Sequence, residues 1–434
     1  MTAALPADPL PLDPMPGCAL PGTPLAGALP GINACVHCGF CLQACPTYLN
    51  LEDENDSPRG RIFLMRSLLE GTVSPDDPSV QQHIDQCLGC RACEPVCPSG
   101  VPYGQLLEAT RATLREYKQI PFIARLILVV FARPWLLRPA MFFSRLLAAT
   151  PIPTLLSGVK GRLGFAMAML ASTGRSIERS PYNPVTRGER GPVATLRGCV
   201  MDGLFNQTNR ATDRVLAVNG YAIVGASGQQ CCGALHSHAG DLDNARKLAR
   251  RNIAAFERSG AEFIAVNAAG CGATMKEYGH LLKDDPAWHE RAAALGSRVR
   301  DVSELLAAAG PRQGGPLPIR VTYDAPCHLQ HAQRVTQAPL SVLAAIPGLE
   351  LVPLHDSDQC CGSAGIYNLI EPETSDAVLA PKLANIKATG APFVATGNPG
   401  CLMQIGAGLI RSGMSARSIH PIDLLDASYA ARGQ

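Results

Sequence analysis

Two runs of four cysteines at one short spacing constrain this chain more than any other feature. Cys35, Cys38, Cys41 and Cys45 precede Pro46; Cys87, Cys90, Cys93 and Cys97 precede Pro98. Three thiolates from one tight loop, with a fourth from the segment leaving it, is the arrangement a [4Fe-4S] cube requires, and in two-cluster ferredoxins the fourth cysteine ligates the other cluster. The expected ligand sets are therefore crossed: Cys35, Cys38, Cys41 and Cys97 for cluster 1, and Cys87, Cys90, Cys93 and Cys45 for cluster 2. Gly39 and Gly89 suit loops that turn sharply around inorganic sulfide, and the prolines after the fourth cysteines redirect the chain. A pair of zinc sites is the poorer reading, because zinc ligands usually group two and two. His37, inside the first loop, is read as a residue that hydrogen-bonds or shields the cluster, since four cysteines already complete the site.

The chain has 17 cysteines in 434 residues. That is no small disulfide scaffold, and metal-ligand spacing points to a reducing compartment, most simply the cytoplasm. No Lys or Arg precedes Arg59, so the charged start of a secretory signal is missing and export is not expected. Eight prolines between Pro6 and Pro30 argue for an extended lead-in over residues 1–30, with Cys18 alone inside it and without an assigned role. Hydrophobic residues make up 47% and charged ones 17%, which is ample for packed cores, and a net charge of +2 argues against a whole-protein nucleic-acid binder.

Cysteine positions divide the chain further. After Cys97 none occurs until Cys199, and from there Cys199, Cys231-Cys232-Gly233 and Cys271 recur as Cys327, Cys360-Cys361-Gly362 and Cys401 at offsets of 128, 129 and 130 residues. The segment Val193-Ala194-Thr195-Leu196 is matched with Ile319-Arg320-Val321-Thr322, and Phe263-Ile264-Ala265-Val266 with Phe393-Val394-Ala395-Thr396. Two homologous modules follow, each a small α/β unit with its cysteines on loops after strands. The fold class expected is α+β and multidomain, a helical two-cluster ferredoxin-like domain followed by a duplicated α/β Cys-Cys-Gly domain. Its parts are the lead-in, a ferredoxin-like domain over 31–105, a basic apolar helical linker over 106–190, and modules over 191–310 and 311–434. Within the ferredoxin-like part, Ile62, Phe63, Met65, Leu68 and Leu69 recur at helical spacing.

Four convergent cysteines in each module fit a further cluster, a redox dithiol or core packing. Recurrence of all four with an attached glycine weakens the packing reading, and adjacent cysteines are awkward as an internal disulfide, which favours metal. One or two more clusters are expected on Cys199, Cys231, Cys232 and Cys271 and on Cys327, Cys360, Cys361 and Cys401. His236, His238 and His328 beside them are read as polar loop residues, not catalytic bases, and no catalytic residue is assigned. No Gly-x-Gly-x-x-Gly opens a βαβ unit and no Gly-x-x-x-x-Gly-Lys occurs, so no flavin, nicotinamide or nucleotide site is expected in the chain itself.

Residues 117–177 carry Lys118, Arg125, Arg133, Arg138, Arg145, Lys160, Arg162 and Arg175 with no Asp or Glu. Arginines and prolines interrupt the apolar runs before any reaches the roughly 18 residues of a membrane span. Amphipathic helices lying on an anionic bilayer are expected, with a solvated linker or a face for an acidic partner as the alternatives.

The words Cys35-Val36-His37-Cys38-Gly39-Phe40-Cys41-Leu42-Gln43-Ala44-Cys45-Pro46-Thr47-Tyr48, Ser57-Pro58-Arg59-Gly60-Arg61-Ile62 and Cys87-Leu88-Gly89-Cys90-Arg91-Ala92-Cys93-Glu94-Pro95-Val96-Cys97-Pro98-Ser99-Gly100-Val101, followed by two Cys-Cys-Gly modules, resemble the iron-sulfur subunits of bacterial glycolate oxidases over almost all the chain after residue 31. Iron-sulfur subunits of lactate-utilisation complexes and of anaerobic glycerol-3-phosphate dehydrogenase share the layout, and a heterodisulfide reductase subunit shares the module. The resemblance implies an electron-transfer subunit: FAD-containing partner subunits oxidise glycolate to glyoxylate, and this chain carries the electrons to a respiratory acceptor such as quinone. It would work in the cytoplasm, peripheral on the inner face of the cell membrane. The fuller module pattern ends in Cys-x-x-Cys, whereas Cys271 is followed by Gly272-Ala273-Thr274 and Cys401 by Leu402-Met403-Gln404. The unusual clusters of heterodisulfide reductase are therefore not carried over. A thiol-disulfide reductase acting through the Cys-Cys-Gly sites, and a scaffold recruiting the flavoprotein to the membrane, are the competing readings.

Overall fold

The computed structural model describes residues 17–174, 177, 181–184 and 188–433; the prolines from Pro6 to Pro16, and Arg175 of the basic stretch, lie outside the described residues. The chain forms two compact units, one made of the described residues up to Cys87 with Cys93–Gln119, the other of Leu88–Ala92 with Ile120–Gln434.

The first unit is helical. Its longest helix, Pro58–Glu70, starts where the Ser57 side chain accepts from the Gly60 amide and Pro58 supplies a preset φ at the first position; it stops at Gly71, which is left-handed. Ile62, Met65, Leu68 and Leu69 face a core completed by Ile84 of Pro78–Asp85 and by Leu106 and Leu114 of Tyr103–Leu114. Phe63, read with that apolar face, is exposed instead. The part of the lead-in that is described is not extended. Leu20 and Leu25 are buried in the same core, the Ala19 amide donates to the Leu69 carbonyl at 2.8 Å, and Pro30 sits in the first turn of a short helix, where a missing N–H costs nothing.

The second unit contains two parallel four-stranded sheets of identical order. Strands β1 (Pro192–Thr195), β2 (Ala222–Val224), β3 (Phe263–Val266) and β4 (Val299–Asp301) lie as β2-β1-β3-β4, and β5 (Arg320–Tyr323), β6 (Glu350–Val352), β7 (Phe393–Ala395) and β8 (Arg417–Ile419) as β6-β5-β7-β8. The β1 and β3 strands end in unbroken buried runs, as parallel strands covered on both faces do. Val193 pairs with Phe263 and Val321 with Phe393, so Val193 corresponds to Val321 and not to Ile319. The two-residue correction keeps every side chain on its face, which is why an alternating pattern alone did not fix it.

The modules share a core that joins Val193 and Ala265 to Val321, Ala395 and Ile419. Beside it, His420 caps the C-terminal helix Pro421–Arg432 by accepting from the Ile422 amide through Nδ1 at 3.1 Å, and its Nε2 donates to the Asn267 carbonyl of the first module at 2.9 Å. Burial holds this ring down to about 4, against about 6.5 for a free histidine. The unfolded chain therefore takes up a proton as pH falls through about 6.5 while the native ring does not. The stability present above that value is expected to drain away toward pH 4, by about 3 kcal/mol. Denaturant midpoints compared between pH 7 and pH 4.5 check this; a His420→Asn variant with the same pH slope would contradict it.

Candidate functional site

In the first unit, Cys35, Cys38, Cys41, Cys93 and Cys97 line one pocket with Pro58, Ile62, Val101 and Tyr103. Three come from one loop and two, Cys93 and Cys97, from the second cysteine run, and the donor chemistry, thiols gathered around a mostly apolar hollow, fits a [4Fe-4S] cube. Gly39 and Gly89 both take positive φ, as loops around sulfide need. Burial is the main reason the Cys41 thiol is pushed up to about 11 in the metal-free protein. Cys38 and His37 are exposed at the pocket mouth.

Cys45 is absent from that pocket. It is buried, as are Cys87, Cys90 and Cys93. Its Sγ lies 3.2 Å from Thr47 Oγ1, and the Tyr103 hydroxyl donates to Cys87 Sγ at 3.6 Å. Arg61, wholly buried, feels the charges of both Cys87 and Cys45. Its Nη1 donates to Thr47 Oγ1 at 3.0 Å and to the Asp56 carbonyl, its Nη2 to Asp56 Oδ1 at 3.0 Å, and its Nε to the His83 carbonyl at 2.6 Å. Sequence inspection valued Arg61 only as part of a family word; nothing in its spacing announces a buried cation.

In the second unit all eight module cysteines line a single cavity of about 300 Å³. Sheet order explains where they sit. In an order β2-β1-β3-β4 the connections reverse direction between β1 and β3, and the crevice outside the carboxyl ends of those strands is where open parallel sheets bind ligands. Cys199 follows β1 and Cys271 follows β3; Cys327 and Cys401 hold the same places after β5 and β7. The expectation that every cysteine occupies a loop is corrected by Cys271 and Cys401, which lie in the first turns of Ala269–Lys276 and Pro399–Arg411. A parallel strand feeds directly into its crossover helix, so the strand's end and the helix's first turn are one place. Gly233 and Gly362 adopt φ of 92° and 84°, and a Cβ on Gly362 would stand 2.6 Å from the Ser375 carbonyl oxygen, which accounts for the glycine of Cys-Cys-Gly.

Each quartet is a chain of thiol contacts. Cys199 and Cys232 both bond to Cys231, and Cys232 also to Cys271; Cys327, Cys360, Cys361 and Cys401 repeat the pattern. Receiving two thiol hydrogens holds Cys231 and Cys360 well below the usual thiol range, whereas Cys199, Cys232, Cys327 and Cys361 are raised, first by their bonds to those acceptors and then by burial. The duplication has thus preserved the electrostatics as well as the spacing.

The histidines are not loop residues. His236 is buried in the short helix Ala234–His238 with Nδ1 2.9 Å from Asp241 Oδ2, whereas His238 and His328 line the cavity with ring centroids 5.2 Å apart. Leu88, Ile127 and Phe131 also line the cavity. That one chamber collects both quartets was invisible to sequence inspection, because offsets reveal repetition and not which way two modules face.

The family described as 4Fe-4S dicluster domain matches residues 31–101, and the one described as cysteine-rich domain matches residues 193–276 and again 321–406. The probable glycolate oxidase iron-sulfur subunit of Bacillus subtilis (strain 168) is 40% identical over 411 residues, covering 90% of this chain and 92% of that protein. The glycolate oxidase iron-sulfur subunit of Escherichia coli (strain K12) is 35% identical, covering 85% and 88%. Lactate utilization protein A of Shouchella clausii (strain KSM-K16) is 30% identical but covers 52% of this chain and 95% of its own.

Proposed function

Because this chain belongs to the family of glycolate oxidase iron-sulfur subunits, we propose that it takes electrons from a separate FAD-bearing subunit oxidising glycolate to glyoxylate and delivers them to a respiratory acceptor such as a quinone. It is an electron-transfer protein carrying two [4Fe-4S] clusters in its dicluster domain. Clustered cysteines in its two cysteine-rich domains point to further iron-sulfur centres. Glycolate names the substrate in preference to lactate because the relatives carrying that name cover 90% and 85% of the chain, against 52%.

The observation that carries this reading is the grouping of Cys35, Cys38 and Cys41 with the distant Cys93 and Cys97 around one pocket. Oxidising glycolate to glyoxylate releases two electrons and two protons, both electrons first reaching the flavin of the partner. A [4Fe-4S] cluster, when bound, accepts and releases them one at a time. The work of this chain's residues is to hold sulfide-bound iron with thiolates, to keep water from it, and to set its charge environment. In this assignment Cys35, Cys38, Cys41 and Cys97 hold one cluster and Cys87, Cys90, Cys93 and Cys45 the other. The module quartets, four thiols each on one apolar chamber, hold at least one more.

The test uses the complex copurified with its flavoprotein. Replacing Cys232 and Cys361 together by serine should lower iron content by about four atoms for each cube lost and stop glycolate-driven reduction of a quinone, while the first two clusters keep their spectra. Full iron and full transfer in the double variant would end the route at the dicluster domain. Full iron with loss of a disulfide-reducing activity would favour a thiol role for the modules.

A further inference from the structure

The basic stretch forms a bent pair of helices, Phe122–Ala132 and Pro134–Ala148, meeting at 108° about Arg133 and Pro134. The second helix is fifteen residues long and has no buried residue, although it carries Trp135, Leu136, Leu137, Phe142, Phe143, Leu146 and Leu147. A helix of that composition has a face made to leave water; it packs in part, Met141 standing against Gly203 of Val200–Leu204, while Trp135, Phe142, Phe143 and Leu146 stay exposed. Its neighbours continue the surface: Phe122 is 77% exposed, Trp135 70%, Phe143 64% and Leu155 76%, with Ile123, Leu126, Leu146, Ile152 and Leu163 exposed as well. A patch of this extent on a folded chain marks an interaction site.

Charge decides the partner. Between residues 120 and 163 every charged side chain is a cation, and Arg125, Arg133, Arg138, Arg145, Lys160 and Arg162 are all exposed. Of the charges counted from sequence, Lys118 is not available: its Nζ lies 2.5 Å from Asp85 within the first unit. We propose that the surface built by Phe122–Ala132, Pro134–Ala148 and the segment to Leu163 lies in the interfacial layer of an anionic phospholipid bilayer, aromatic and aliphatic side chains below the headgroups and arginines among the phosphates. A tryptophan and two phenylalanines beside arginines suit that layer, where one end of a side chain is apolar and the other wet. An acidic protein partner would supply the charge but would leave exposed phenylalanine and tryptophan unmatched unless it were itself apolar. A spanning segment is disfavoured by the bend, since no single helix among the described residues is long and apolar enough to cross.

The experiment uses the full cluster-loaded chain, and its readout is independent of the glycolate reading because no substrate is added. Vesicles of phosphatidylcholine alone are compared with vesicles that also contain phosphatidylglycerol. Preferential sedimentation with the anionic vesicles is expected, weakening with salt. Each arginine removed from Arg133, Arg138 and Arg145 should weaken binding about fivefold, so that the triple change to glutamine weakens it about a hundredfold. A second variant, Trp135→Ser with Phe143→Ser, should lose binding to both compositions; since neither residue is buried, iron content and absorbance should be unchanged. Equal binding to neutral and anionic vesicles would overturn the proposal. So would absence of vesicle binding accompanied by loss of the copurifying flavoprotein in the triple variant, which would make this a subunit interface. Retention by membranes after an alkaline carbonate wash would show a span instead.

Discussion

Replacing Cys45 by alanine is expected to remove the cluster associated with Cys87, Cys90 and Cys93 while leaving the one beside Cys35, Cys38 and Cys41, a loss of about four of the eight iron atoms of the dicluster domain. Proximity in sequence argues the opposite, since Cys45 is four residues from Cys41 and forty-two from Cys87. Cys97, with Cys93, lines the pocket of the first three cysteines, whereas Cys45 is not in its lining; its charge is felt by Cys41 and also by Arg61, which feels Cys87 as well. Iron analysis with low-temperature EPR of the dithionite-reduced protein separates the outcomes. The matching variant Cys97→Ala should remove the other cluster, and a loss in Cys45→Ala confined to the site of Cys35 would sink the crossed assignment.

The second large effect concerns Arg61. Its guanidinium is buried and forks onto Asp56 and Thr47, and Asp56 is itself 2% exposed with His83 Nδ1 3.1 Å from the same carboxylate oxygen. Removing one member of a buried pair leaves the other charge in a poor solvent, at a cost of about 3–5 kcal/mol. Arg61→Met should therefore destabilise the first unit by that much, and Arg61→Lys should recover only part, because an ammonium cannot reproduce a planar fork bonded on several edges. Loss of a cation near Cys45 and Cys87 should also lower the reduction potential of the cluster they hold, since a less positive surrounding disfavours the added electron. Denaturant unfolding followed by cluster absorbance, with redox titrations of the Arg61→Met protein against the charge-retaining Arg61→Lys protein, tests both. A stability change under about 1 kcal/mol together with an unchanged potential would mean that the guanidinium only fills space.

What the sequence allowed one to read, and what it hid, follow a physical division. Cysteine spacing is a local property of tight loops, so both ferredoxin-type runs and both module quartets could be located from it. The helix Pro58–Glu70 was legible because Ile62, Met65, Leu68 and Leu69 recur at helical spacing within one short segment. Facing relations were not legible. Nothing near Cys199 or Cys327 states that the two quartets open on one chamber, which depends on a core shared by Val193, Val321 and Ile419. The strand correspondence was displaced by two residues because period-two patterns are unchanged by such a shift. The described part of the lead-in packs despite its prolines because Leu20 and Leu25 reach a core built mainly from distant residues such as Met65, Leu69, Ile84 and Leu106.

The C-terminal helix Pro421–Arg432 has a consequence for how the chain is made. Arg214 of the first module pairs with Asp426 of that helix at 2.7 Å, the Asn219 side-chain amide donates to the Tyr429 hydroxyl at 2.9 Å, and His420 holds Asn267. Ribosomes add about 5–20 residues per second, so about eight to thirty seconds pass between the emergence of Cys271 and that of the helix that packs on its module. During that interval the first quartet exists as thiols in an unfinished wall. The first module gains these contacts only once that helix has emerged, after the chamber's last lining residue, Met403.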